Sequence, residues 1–238
     1  MILAVIPARG GSKGLPRKNL CLLGGLPLVS HAIRAAKKSR HVDELVVSTD
    51  DAVIAEVAAA EGAKVPFLRP AELATNETPT WPVVRHAVEQ WEAASGRSVD
   101  AVVVLQPTSP LRTEDDIDHC VVKFKDTAAD MCVTVVAAHD SPYFNMVEVT
   151  PKSAPFARAC SRLMLKHSRR QDAPLVYALN GAVYVIRASI LATLENQFRL
   201  ARFAIHEMPR NRSIDIDSAD DLEYAEWLVL RSSLRRPI

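Results

Sequence analysis

No stretch of the 238-residue chain approaches the roughly 18 consecutive apolar residues that a membrane span needs. The apolar start Met1–Ile6 turns polar at Pro7-Ala8-Arg9, too short for a signal-peptide core, and no basic segment precedes it. Cysteine is scarce. Cys21, Cys120, Cys132 and Cys160 form no CxxC pair and no metal-ligand spacing, so they read as reduced cytosolic thiols, mostly core filler. An excess of either charge is also missing: Lys+Arg number 29 and Asp+Glu 28. That leaves no global basic field for nucleic acid and makes any phosphate chemistry local. Internal repeats and low-complexity tracts are absent. At 48% hydrophobic and 24% charged the chain is not disordered either. What remains is a cytoplasmic protein with room for one large α/β domain or two small ones.

The apolar pattern alternates between two periods. Ile2–Ile6, Glu44–Ser48, Val65–Leu68, Ala101–Leu105 and Met131–Ala138 read as strands. Between them, Pro27–Ser39, Asp51–Glu61, Thr80–Ala94 and Glu114–Lys125 carry helical spacing, the last behind a Thr113/Asp116 capping box. Such alternation predicts an α/β, Rossmann-like, mostly parallel central sheet flanked by helices. Residues 139–174 break the pattern, being irregular and basic, too long for an ordinary loop. They read as an arm inserted into a single domain and packing on a second subunit. Its Arg158, Arg162, Lys166, His167 and Arg169 read as a solvated face. Strands follow at Gly181–Ile186, Phe203–Glu207 and Ser213–Asp217. A final helix runs from Ala219 to Arg231 behind a Ser218/Asp221 capping box.

Two places carry chemistry. The first is Pro7–Asn19, a glycine turn after the first strand, where open α/β sheets bind ligands. Gly10, Gly11 and Gly14 let backbone N–H groups approach an anion, and Arg9, Lys13, Arg17 and Lys18 carry no acid among them. Amides with clustered cations suit a polyphosphate. The spacing fits neither a Walker A loop nor the dinucleotide GxGxxG fingerprint. The second place is Ser213-Ile214-Asp215-Ile216-Asp217. On an extended chain Asp215 and Asp217 share a face, and paired carboxylates suit Mg²⁺, which keeps room for substrate phosphates.

IPARGGSKGLPRKNL at Ile6–Leu20, STDD at Ser48–Asp51, LRPAELA at Leu68–Ala74, LQPTSPLR at Leu105–Arg112, NGAVYV at Asn180–Val185 and SIDID at Ser213–Asp217 resemble, in order and over nearly the whole chain, the CMP-sialic acid synthetase family (acylneuraminate cytidylyltransferases). The resemblance implies transfer of CMP from CTP to the anomeric hydroxyl of an acidic nine-carbon sugar, with Mg²⁺, by a homodimer. It implies that Arg9, Ser12, Lys13, Lys18 and Asn19 grip the triphosphate, with Lys18, Arg9 and Asp217 closest to the chemistry. Ala8, Arg69 and Thr80 would contribute to the cytidine pocket. Gln106, Thr108, Ser109, Asn180 and Tyr184 would face the acceptor, Arg170 would be offered from the arm, and Asp215 and Asp217 would hold Mg²⁺. Thr108 also reads as a simple turn residue, and Tyr184, inside a strand, as core.

One departure concerns the acceptor. Sialic-acid-specific members usually carry Arg-Pro before the Asn-Gly; here Ala178 and Leu179 stand there. A missing guanidinium removes a bidentate partner. Together with Ser141–Asn145 and Gln171–Pro174, this resembles members acting on bacterial relatives such as legionaminic acid. The alternatives are a cytidylyltransferase for the eight-carbon 3-deoxy-octulosonic acid, a DxD-type glycosyltransferase and a non-catalytic nucleotide-binding protein.

Overall fold

The computed structural model describes residues 1–151, 154–166, 169–200 and 202–234; His167 of the basic run lies outside them. Along the chain the elements are β1 (Ile2–Pro7), the short pair β2 (Leu22–Leu23) and β3 (Leu26–Pro27), α1 (Leu28–Lys38), β4 (Glu44–Ser48), α2 (Ala52–Ala60), α3 (Thr80–Ser95), β5 (Ala101–Leu105), α4 (Glu114–Asp126), β6 (Met131–Ala137), β7 (Val147–Glu148), β8 (Arg158–Ala159), β9 (Tyr177–Arg187), α5 (Ala188–Leu191), β10 (Phe203–Glu207) and α6 (Ala219–Leu234). The chain divides into two compact units, Met1–Val135 with Asn180–Ile238, and Val136–Leu179.

The first unit is organised by a six-stranded sheet in the order β10-β6-β9-β5-β1-β4. β4, β1 and β5 are parallel, as are β10 and β6, and β9 runs antiparallel to β5. The apolar runs of β1 and β5 are buried along almost their whole length, as strands covered on both faces must be. Leu28, Ala32, Ile33 and Ala36 turn the inner face of α1 toward the sheet. α3 stops at Gly96, whose φ of 67° closes the helix in the left-handed region. α4 starts with the reciprocal Thr113/Asp116 capping box. In the second unit β7 and β8 form a two-stranded antiparallel pair, and a 3-10 turn spans Arg170–Asp172.

Two expected strands are not strands. Val65–Leu68 contributes no ladder, only a bridge from Val46 to Lys64, because Pro66 has no N–H to donate. Ser213–Asp217 joins no ladder; the Ile216 amide donates to Thr108 O at 2.7 Å. The alternation survives without the ladder. Ile216 is fully buried against Leu23, Leu28 and Ala225, while Asp215 and Asp217 on either side are exposed.

This strap is tied at its base. Arg212 donates to both oxygens of Asp116, Nε at 3.0 Å and Nη2 at 2.7 Å, and Asp116 is buried. Burial alone would push the Asp116 carboxyl up, but the Arg212 and Thr113 hydrogen bonds outweigh it and hold it below the usual carboxylate range. Arg212→Leu leaves that charge buried and uncompensated, and is expected to cost about 3 kcal/mol in urea denaturation at neutral pH. The sign follows from a lowered native pKa. The difference from wild type closes as the pH falls through the lowered native value, and it is complete only above the raised value that burial gives Asp116 without Arg212.

Candidate active site

The parallel register of β4, β1 and β5 brings three carboxyl ends to one edge of the sheet, with Pro7 paired to Ser48. Beyond that edge lies a cavity of about 240 Å³. Arg9, Gly11, Ser12, Lys18 and Asn19 line one side; Arg69, Thr75, Asn76, Thr78 and Thr80 line another; Gln106 and Thr108 close it.

Each cation is held. Arg9 Nη1 donates to Thr75 O at 2.6 Å, and the buried Asn19 braces the loop by donating from Nδ2 to Arg9 O at 2.7 Å. Arg69 is only 6% exposed. Its Nε donates to Ser48 Oγ at 3.0 Å and its Nη2 to Ser48 O. Burial pulls the Arg69 guanidinium down to about 10; Asp50 opposes this and Arg9 adds to it. It therefore remains a cation at neutral pH.

The glycine turn and the acidic strap meet. Lys18 Nζ lies 2.7 Å from Asp217 Oδ1. Gly14 passes so close beneath the strap that a Cβ there would sit 2.3 Å from Asp217 O. Asp215 keeps solvent on one side, yet protein packed around its carboxylate pushes its pKa above the ordinary range. The Thr108 hydrogen bond and Lys18 oppose this shift, and Asp217 adds to it. Among the described residues no group of three or more His, Cys, Asp or Glu side chains is placed to hold a metal; the donors here are a pair.

A second cavity of about 230 Å³ shares Thr80 and Gln106 with the first. Trp81, Tyr184, Asn196, Gln197 and Phe198 also line it. Trp81 meets Tyr184 edge to face at 5.9 Å, and its Nε1 donates to Gln197 Oε1 at 3.0 Å. Burial and the charge of Asp215 raise the Tyr184 phenol. Tyr184 is therefore a cavity wall as well as a packed ring.

The remaining expected site residues fall elsewhere. The Ala8 methyl is in the core, fully buried. Lys13 pairs with Glu77 at 3.5 Å in solvent and does not line the cavity. Ser109 and Asn180 are buried, not presented to an acceptor. Ser109 Oγ donates to Asn180 O at 3.1 Å, while Asn180 donates to Ser213 Oγ and accepts from Thr134 Oγ1. They form a brace between β9, β6 and the strap, beside Gly181, whose φ of 70° within β9 suits a glycine. Arg170 belongs to the second unit, where it donates to Ala138 O and His139 O.

Sequence reasoning missed Thr75, Asn76, Thr78 and Phe198, which lie on segments without periodicity. It also gave no role to Arg112, which closes the LQPTSPLR motif. Arg112 is buried, donates to Ala182 O at 2.9 Å and to Gln106 O, and is pulled down to about 9 by burial. It ties the turn after β5 to β9 and so fixes Gln106 between the two cavities.

A family profile described as Cytidylyltransferase matches residues 3–232. The CMP-N,N'-diacetyllegionaminic acid synthase of Legionella pneumophila is 35% identical over 96% of this chain and 96% of its own. The pseudaminic acid cytidylyltransferase of Campylobacter jejuni is 34% identical over 95% of each. A solved CMP:2-keto-3-deoxy-manno-octonic acid synthetase complexed with CTP superposes with a TM-score of 0.73 over 97% of this chain and 99% of that one, at 20% identity. At that identity the likeness is one of fold.

Proposed function

The chain belongs to the cytidylyltransferase family and is a nucleotidyltransferase, and from that premise we propose that it transfers CMP from CTP to the anomeric hydroxyl of a nonulosonic, sialic-acid-like sugar, releasing pyrophosphate. The observation that carries this reading is the meeting of Lys18 and Asp217 at 2.7 Å on a cavity walled by Arg9, Ser12 and Arg69. A triphosphate needs such a cradle, and an adjoining cavity leaves room for an acceptor. The full-length relatives named for legionaminic and pseudaminic acids favour that acceptor class over the eight-carbon acid.

In this reading the sugar hydroxyl oxygen bonds to the α-phosphorus while the bond to the pyrophosphate oxygen breaks, and the hydroxyl proton leaves to water. Lys18 and Arg9 offset the charge on the equatorial and leaving oxygens, and Gln106 separates donor from acceptor. Asp215 and Asp217 would hold Mg²⁺. Two exposed carboxylates flanking the buried Ile216 are a donor set this ion accepts, with its remaining positions filled by water and phosphate. When bound, the ion supplies charge neutralisation for the triphosphate.

A homodimer and a cytoplasmic location belong to the same proposal. The second unit exposes Val147, Val149, Phe156 and Leu175, an apolar surface suited to a second copy. No helix among the described residues is long and apolar enough to cross a membrane. Phe156→Arg with Leu175→Arg is expected to halve the mass measured by light scattering; an unchanged mass removes that surface from the interface. The function is tested by pyrophosphate release, offering legionaminic, pseudaminic and N-acetylneuraminic acids and the eight-carbon analogue with each nucleoside triphosphate. Turnover with CTP and a nine-carbon acid supports it. Turnover only with the eight-carbon acid, or none at all, overturns it.

A further inference from the structure

The STDD motif at the end of β4 has so far only a partial role. Its four residues point to different tasks. Ser48 and Thr49 hold Arg69, through Ser48 Oγ and O and through the Thr49 carbonyl, which accepts from Arg69 N at 2.7 Å. Asp51 caps α2, accepting from Val53 N and Ile54 N, and lies 3.6 Å from Arg17. Asp50 does something else. Its Oδ1 accepts from Gly10 N at 3.0 Å, although 40 positions separate the two in sequence. The register that pairs Pro7 with Ser48 makes this possible.

We propose that Asp50 is a positioning residue for the nucleotide: it fixes the first glycine amide of the turn whose neighbours line the nucleotide cavity. No side chain fits at Gly10, since a Cβ there would lie 2.7 Å from Asp51 Oδ2. The Asp50 bond thus joins the Asn19 bond to Arg9 O in holding the turn, at a place where the backbone passes close to Asp51. Without a nucleotide, Arg9 and Arg69 face one cavity with like charge. Lys18, also on that wall, is taken by Asp217. Asp50 holds the turn by its backbone and does not line the cavity itself. A carboxylate that holds the turn by its backbone, from outside the cavity, leaves the place of an incoming phosphate free.

This inference rests on CTP as the nucleotide, so CTP binding by the wild-type protein, measured calorimetrically without acceptor, is the control. If the wild type binds no CTP, the proposed function fails first. Given that binding, Asp50→Ala is expected to raise the KM for CTP about tenfold, with kcat within about threefold and the KM for the acceptor unchanged. Asp50→Asn keeps an oxygen for Gly10 and is expected to restore CTP affinity at neutral pH. Wild-type KM for CTP in Asp50→Ala overturns the proposal. So does a lower melting temperature with reduced kcat and an unchanged KM, the pattern of a merely structural residue.

Discussion

Asp217→Ala is expected to lower kcat for pyrophosphate release by roughly 10²–10³-fold, the scale on which a lost charge-stabilising group acts. Two effects combine. In the proposed reaction Asp217 is one of two carboxylates that would hold Mg²⁺, and it is also the partner that holds Lys18 at 2.7 Å on the cavity wall. Removing it costs the donor and frees the cation whose aim matters most. Raising CTP should not recover the rate, because the loss lies beyond binding. Raising Mg²⁺ should recover part of it, through Asp215. A variant within a few fold of wild type at ordinary Mg²⁺ removes the strap from the chemistry. Melting curves complete the measurement: Asp217 is exposed, so its loss should leave stability nearly unchanged.

Gly14→Ala should be nearly as damaging, for a steric reason. The added carbon would meet a backbone oxygen, Asp217 O, at 2.3 Å, and neither backbone can yield without moving what it carries. If the glycine turn gives way, Lys18 moves; if the strap gives way, Asp215 and Asp217 move, and the hydrogen bond from Ile216 N to Thr108 O opens. A misplacement near 1 Å at a reacting centre costs on the order of 10²-fold. The expected signature is a fall in kcat of that size with a rise in the KM for CTP, in a protein whose circular dichroism is unaltered. Retained activity would mean that the turn and the strap are not in contact during catalysis.

Much of the frame follows from local pattern. The buried runs of β1 and β5, the apolar stripe of α1 and the Thr113/Asp116 box are nearest-neighbour features, legible because periodicity and capping act over a few residues. The strap shows where such reading stops. Its alternation placed both aspartates on one side, but whether a ladder formed depended on a partner strand, which only the assembled sheet could supply or withhold. Ser109 and Asn180 make the same point from the other direction. Polar residues inside motifs look available in a sequence, whereas here they spend their hydrogen bonds on one another and on Thr134 and Ser213.

The chain by itself determined the alternating elements, the cationic glycine turn and the acidic pair, because composition, period and spacing are properties of adjacent residues. Tertiary structure alone decided which groups share a cavity. Lys18 and Asp217 are 199 positions apart, and Gly10 and Asp50 are 40 apart. Their meeting depends on strand register and on the burial of Ile216, both of which are set by long-range packing that no local pattern encodes.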